Sequence, residues 1–185
     1  MDWAENSNEL MLQQLNRLQN TNRVMLANAH SGSVKTIFSD RDDAWVEVRF
    51  GFTKWIDNGK RFTFVSERDG WRHVYLVSRD GKTVQRITSG KYDVTRVLAV
   101  DEKSRSLYFI ASPDNPAQRF LYRIGFDGKA QKRLSPVNQA GSHSYSISPD
   151  AQWAVHSYSS FASPPVSNFI KLSEHKTVRG LEGNK

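Results

Sequence analysis

The stretch Tyr75–Thr88, YLVSRDGKTVQRIT, recurs 47 residues later as Tyr122–Ser135, YRIGFDGKAQKRLS. Tyr, Asp, Gly, Lys and Arg stand at the same five places in both copies, as Tyr75/Tyr122, Asp80/Asp127, Gly81/Gly128, Lys82/Lys129 and Arg86/Arg133. Ile87-Thr88 and Leu134-Ser135 keep the character of the ending. Each copy opens with a run of β-branched and aromatic residues and breaks at an Asp-Gly pair. That pattern predicts a strand, a tight turn needing positive φ, and a second strand.

Working outward, the period stays at two residues. Phe62-Thr63-Phe64-Val65-Ser66, Val74-Tyr75-Leu76-Val77, Leu107-Tyr108-Phe109-Ile110 and Phe120-Leu121-Tyr122-Arg123-Ile124 are short runs of strand formers. Between them lie the turn signals Asp57-Asn58-Gly59, Arg79-Asp80-Gly81 and Phe126-Asp127-Gly128. Phe62, Leu107 and Trp153 each open a strand, 45 and then 46 residues apart. A weaker early copy runs from Val24 to Ile37 around His30-Ser31-Gly32. Glu9–Leu18 carries spaced leucines, yet Asn16, Gln19 and Asn20 continue a helix poorly and no capping box precedes it, so a strand is predicted there too. A period in the mid-forties holding about four strands is that of a β-propeller blade. The fold class is therefore all-β, a partial β-propeller of three to four four-stranded antiparallel blades. The expected blades are residues 3–40, 45–88, 94–135 and 145–172, with 173–185 as a tail. Closed propellers need at least about four blades, so an open arc is expected.

Composition narrows the function classes. The chain has 185 residues and no cysteine, which excludes disulfides, thiol nucleophiles and Cys-ligated zinc. Eleven per cent aromatic residues argue for an ordered core. No apolar run is long enough to span a membrane. The net charge is +7, but the basic residues are scattered along strands and turns, the pattern of a solvated face and not of a nucleic-acid surface. Met1-Asp2-Trp3-Ala4-Glu5 has neither the basic start nor the apolar stretch of a signal peptide, and opens as a segment excised from a longer chain would.

The residues from Phe52 to Val94, FTKWIDNGKRFTFVSERDGWRHVYLVSRDGKTVQRITSGKYDV, closely resemble the propeller of the dipeptidyl peptidase IV family. SERDGWRHVYL, residues 66–76, is the most specific piece. Asn16–Asn20, Asp43–Val48 and Ser148–Ser159 support it in the same order, so the resemblance runs from about Trp3 to Leu172. It implies an eight-bladed propeller over an α/β-hydrolase domain, a Ser-His-Asp triad on that domain, removal of N-terminal dipeptides, and a secreted or periplasmic location. It also implies a substrate-binding pair in the loop after Trp45, at Arg49 and Phe50: the ring walls the peptide cleft and the guanidinium supplies a charge-assisted hydrogen bond. No catalytic residue is expected in this chain. A nucleophile elbow needs G-x-S-x-G, and Gly141-Ser142-His143-Ser144-Tyr145 ends on Tyr. No Glu-Glu pair is present to hold a substrate amine.

Other candidates are read as structural. His30, His73, His143, His156 and His175 lack metal-ligand spacing, and His73 reads as an inter-strand hydrogen-bonding group. Asp57, Asp69, Asp80, Asp101, Asp127 and Asp150 do not fit a calcium loop and read as turn carboxylates that accept nearby backbone N–H groups. Trp55, Trp71 and Trp153 are expected in the inter-sheet core. No metal or cofactor is expected. The expected partners are a peptide substrate through the complete enzyme, the hydrolase domain, and a second copy of the chain. Self-association would use open blade edges, through Trp3, Leu10 and Leu12 at one end and Phe161, Val166, Phe169 and Ile170 at the other. The alternative function is a stand-alone propeller-type protein-binding module.

Overall fold

The computed structural model describes residues 1–48 and 53–183. Among them there is no helix; the strands form four antiparallel four-stranded meanders. The chain divides into two compact units, residues 1–86 and 87–185, each built from two of these sheets.

In the first unit, one sheet holds β1 (Asp2–Trp3), β2 (Glu9–Leu15), β3 (Thr21–Asn28) and β4 (Val34–Arg41). The next holds β5 (Trp55–Ile56), β6 (Arg61–Ser66), β7 (His73–Ser78) and β8 (Val84–Arg86). The leucines of Glu9–Leu15 do form a strand. It ends where the Asn16 side chain accepts backbone N–H groups from Asn20 and Thr21, both at 3.1 Å, a local turn that competes with helix. The two sheets pack Met11, Val24, Leu26, Ile37 and Phe38 against Trp55, Phe62, Phe64, Tyr75 and Val77. Phe38 meets Phe64 edge-on at 5.0 Å, and Trp55 meets Phe62 at 5.1 Å. Burying each such ring contributes about 1.5–3 kcal/mol.

Polar ties add register to this packing. Arg79, at the β7–β8 turn, donates to the Ala4 and Gly59 carbonyls at 3.0 and 2.9 Å and to the Glu9 carboxylate at 2.5 Å. Its guanidinium also lies 4.7 Å over the Trp55 ring. Two residues on, Gly81 has φ +75° and touches β4 so closely that a Cβ would stand 1.5 Å from the Ile37 carbonyl oxygen. Only glycine satisfies both the turn and the approach.

The second unit repeats the plan with β9 (Val94–Asp101), β10 (Ser106–Ala111), β11 (Phe120–Gly125) and β12 (Lys132–Arg133), followed by β13 (Ser142–Ile147), β14 (Trp153–Ser160), β15 (Ser163–Lys171) and β16 (Lys176–Glu182). Its core joins Tyr108, Ile110 and Leu121 to Tyr145, Ala154, Ile170 and Leu172. The 47-residue repeat is visible in three dimensions. Tyr75 faces Arg86 as Tyr122 faces Arg133; Asp80 accepts the Lys82 N–H at 3.1 Å as Asp127 accepts that of Lys129 at 2.9 Å; Gly128 has φ +76°.

Four readings change. Residues 176–182 form the edge strand β16 instead of a tail; all seven are exposed, so no alternating apolar pattern marks them. Trp71 and Trp153 are 41% and 38% exposed, and of the three tryptophans expected in the core only Trp55 is buried. Trp153 stacks on Phe169 at 5.4 Å, on the outward face of the last sheet. Ile170, expected at an open end, is fully buried, because the alternation along β15 turns it toward Ala154 and Tyr145.

Candidate functional site

Arg49 and Phe50 lie outside the described residues. What leads to them is well defined. Beyond β4, the Asp42 carboxylate accepts the N–H groups of Ala44 and Trp45 at 2.8 and 3.2 Å, and these bonds hold its carboxyl below the usual carboxylate range. Asp42 and Val46 donate their own N–H groups to Asn20 and Gln19 carbonyls at 3.1 and 2.8 Å, pinning the segment to the β2–β3 turn. Val46 is buried beneath it, whereas Trp45 is 54% exposed and directs its indole N–H to Glu47 at 3.4 Å.

Against this turn stands the β6–β7 loop, which carries the SERDGW stretch. The Ser66 hydroxyl donates to Asp40 at 2.7 Å, and Arg68 donates to the same carboxylate oxygen through Nε at 3.2 Å and Nη2 at 3.1 Å. Nη2 also reaches the Ser39 carbonyl at 2.9 Å, and the guanidinium lies 4.5 Å over Phe38. Asp40 is nearly fully buried, so this pairing replaces its lost water. Within the loop Arg72 clasps Glu67 at 2.5 Å. Tyr75 donates its hydroxyl to Asp69 at 2.8 Å, and Arg86 meets the same carboxylate at 3.1 Å. The Tyr75 bond draws the Asp69 carboxyl downward, while burial and that same bond push the Tyr75 phenol up. Asp40, Asp42, Trp45, Glu47, Glu67 and Arg68 thus line a shallow crevice. The crevice has room for no more than a water molecule, and the Asp40–Arg68 and Glu67–Arg72 ion pairs fix its walls.

The other candidates are placed as follows. Ser142 to Tyr145 lie in strand β13 and not in a loop, and alternation puts Ser142 and Ser144 outward while His143 is buried. The two hydroxyls therefore face away from the imidazole. Asp80, Asp101, Asp127 and Asp150 accept backbone N–H groups two residues on, as expected of turn carboxylates. Asp57 and Asp69 instead pair with Arg61 and Arg86. His73 is buried in β7. Among the described residues, no three His, Cys, Asp or Glu side chains are arranged to hold a metal ion. Read singly, the histidines concealed one feature: strand register brings His143, His156 and His175 together around Tyr145. The signal lay in the pairing of Tyr145 with His156, which needs the β13–β14 register before it can be seen.

Comparison with known proteins places the fold in a family. Dipeptidyl peptidase 4 of Arthroderma otae is 28% identical over 117 residues, covering 62% of this chain and 15% of the relative. That of Trichophyton equinum is 29% identical over 115 residues, covering 60% and 15%. The crystal structure of Porphyromonas gingivalis dipeptidyl peptidase 4 superposes with a TM-score of 0.86 and 32% identity over 97% of this chain and 25% of that one. A putative dipeptidyl aminopeptidase IV from Bacteroides ovatus shares the fold, with a TM-score of 0.83 at 20% identity. The chain spans between 15% and 28% of the length of these proteins. The family described as the dipeptidyl peptidase IV N-terminal region matches residues 1–165, and the chain belongs to that family, as a segment of its β-propeller.

Proposed function

We propose that this chain is a non-catalytic propeller segment of a dipeptidyl peptidase IV-like serine exopeptidase, where it gates and binds peptide substrate for an α/β-hydrolase domain. The observation that carries this reading is the match of 97% of the chain to one quarter of a dipeptidyl peptidase 4. In this reading the remaining length supplies the Ser-His-Asp triad, and the complete enzyme works in the periplasm or outside the cell. The local geometry supports the same role. The Asp42 carboxylate fixes the Ala44–Trp45 turn, Val46 is bonded to Gln19, and Arg68 clasps Asp40 beside them, a fixed geometry of the kind that preserves binding energy.

The test is made in the complete enzyme that contains these residues. Phe50→Ala should lower kcat/KM for a Gly-Pro or Ala-Pro chromogenic conjugate by about 1–3 kcal/mol, as for loss of an apolar pocket contact. Arg49→Ala should weaken substrate use in the same direction. Unchanged kinetics with unchanged melting would remove both residues from the cleft, and a collapse in melting temperature would make Phe50 a core residue.

A further inference from the structure

Three of the five histidines meet inside the second unit. His143 and His156 are each 3% exposed, and their rings stack at 5.1 Å with 8° between planes. Tyr145 stacks on His156 at 4.6 Å, and His175 packs edge-on against the same ring at 4.7 Å. These residues come from β13, from β14 and from the turn before β16.

The hydrogen bonds fix where the protons are. His143 Nε2 lies 3.0 Å from the Gln139 carbonyl, which can only accept, so that nitrogen carries hydrogen. In the neutral ring Nδ1 is then a lone pair, and it faces His156 Nε2 at 2.9 Å, which must donate. On the other side the Leu121 N–H donates to Ser135 Oγ at 2.7 Å, and Ser135 Oγ meets the Tyr145 hydroxyl at 2.9 Å. The Tyr145 hydroxyl in turn meets His175 Nε2 at 2.9 Å. The chain runs without conflict when Ser135 donates to Tyr145 and Tyr145 to His175, which requires the Nδ1–H form of His175.

Extra protons are costly here, because each would put a charge on a largely buried ring. One can enter the stacked pair only at His156 Nδ1, since a hydrogen on His143 Nδ1 would oppose the His156 N–H across 2.9 Å. One on His175 Nε2 reverses the Tyr145 bond and leaves one hydroxyl hydrogen, that of Ser135 or of Tyr145, without its acceptor. Both together place like charges on rings 4.7 Å apart. The surrounding groups offer no relief. Arg133, from β12, lies 3.5 Å over Phe120, which itself abuts His143. Tyr145 and Tyr158 flank His143 on its own sheet, and Tyr108 faces the core from β10, with Arg123 and Asp101 beside it.

We propose that His143, His156 and His175 form an acid-sensitive latch, which holds β13, β14 and the His175 turn together while neutral and releases them when the cluster takes up protons. Burial drives all three imidazoles below their ordinary range, His156 to about 3. A histidine so depressed binds its proton only in the unfolded chain, so stability is full above pH 6.5 and falls as the pH drops below it.

Long-range nitrogen–proton NMR of the 185-residue chain at pH 7.5 should find Nε2–H for His143 and His156 and Nδ1–H for His175. None of the three should titrate near pH 6.5. Urea unfolding of the second unit, followed through Trp153, completes the test. Between pH 7.5 and pH 5.0 the folding equilibrium of the natural chain should fall by roughly 30-fold more than that of His156→Gln, which keeps a donor but cannot titrate. Equal losses in the two proteins, or free-imidazole titration of the three rings, would overturn the proposal. Should the variant fail to fold, the tautomers and ring titrations of the natural chain decide it alone.

Discussion

Gly81→Ala tests whether the first unit is held by the approach of the β7–β8 turn to β4 or only by side-chain burial. The new Cβ would stand 1.5 Å from the Ile37 oxygen and 2.6 Å from its carbonyl carbon. Ordinary carbon–oxygen approach begins at about 3.3 Å, so the turn must withdraw by roughly 2 Å. Both colliding atoms are backbone atoms of Ile37, which stands at the β-bulge of β4, and no rotamer change relieves them. The withdrawal also drags the neighbouring Arg79 away from Ala4 and Glu9. A left-handed alanine costs about 1–2 kcal/mol, and forced overpacking a further 1–3, giving about 2–5 kcal/mol in all. Gly70→Ala is the matched control: its φ is +85°, yet nothing lies within 4 Å of the added methyl, so it should show the conformational cost alone. Urea unfolding followed by tryptophan fluorescence reads both variants, since Trp55 is buried at this interface and Trp153 reports the second unit. Losses equal within about 0.5 kcal/mol, an ordinary additivity error, would refute the close-approach argument.

Arg68→Ala strands the buried Asp40 carboxylate with Ser66 as its remaining side-chain donor, and should cost the first unit about 3 kcal/mol in urea unfolding; Arg68→Lys should recover only part of this, because an ammonium cannot reproduce the fork. Burial raises the phenols of Tyr75, Tyr92, Tyr108 and Tyr145, and that of Tyr122 to about 12. A raised folded pKa means that stability is intact below pH 10 and lost as the pH climbs toward 12, so phenolate absorbance of these five should appear only together with unfolding. The isolated chain should release no chromophore from Gly-Pro or Ala-Pro conjugates; turnover that survives repurification and disappears on replacing Ser142 or Ser144 would contradict this. Light scattering across a dilution series should reveal self-association, because Trp3, Phe161 and the whole of β16 are exposed, and a clean monomer at high concentration would refute it.

How far the fold was legible depended on where its information is stored. The Asp-Gly turns and period-two runs are local, so the strand–turn–strand unit around Gly81 and its copy around Gly128 could be read from a dozen residues each. The strand Glu9–Leu15 was readable for the same reason, through asparagines that cap turns and not helices. β16 was not readable, because an edge strand exposed on every residue carries no burial signature. The tryptophans misled because ring size predicts burial on average, whereas the face of the pleat decides it in each case. Trp55 points between two sheets, but Trp153 lies on the outward face of β14, stacked on Phe169 and 38% exposed.

The sites follow a stricter rule, since their members are joined by pairing over distance in sequence. Asp40 meets Ser66 and Arg68 only after two sheets have packed, and nothing in the spacing of 26 or 28 residues announces it. The histidines illustrate the point more sharply. Positions 143 and 156 become neighbours because β13 pairs with β14 in the one register that sets Tyr145 opposite His156, and a slip of one residue would turn the buried rings outward and the serines in. The same alternation that withholds His143 from Ser142 and Ser144 is what delivers it to His156. One geometric fact therefore argues against hydrolytic chemistry at this serine-rich strand and for a proton-responsive core beneath it. The two readings stand or fall on the same register, which the tautomer of His143 reports directly.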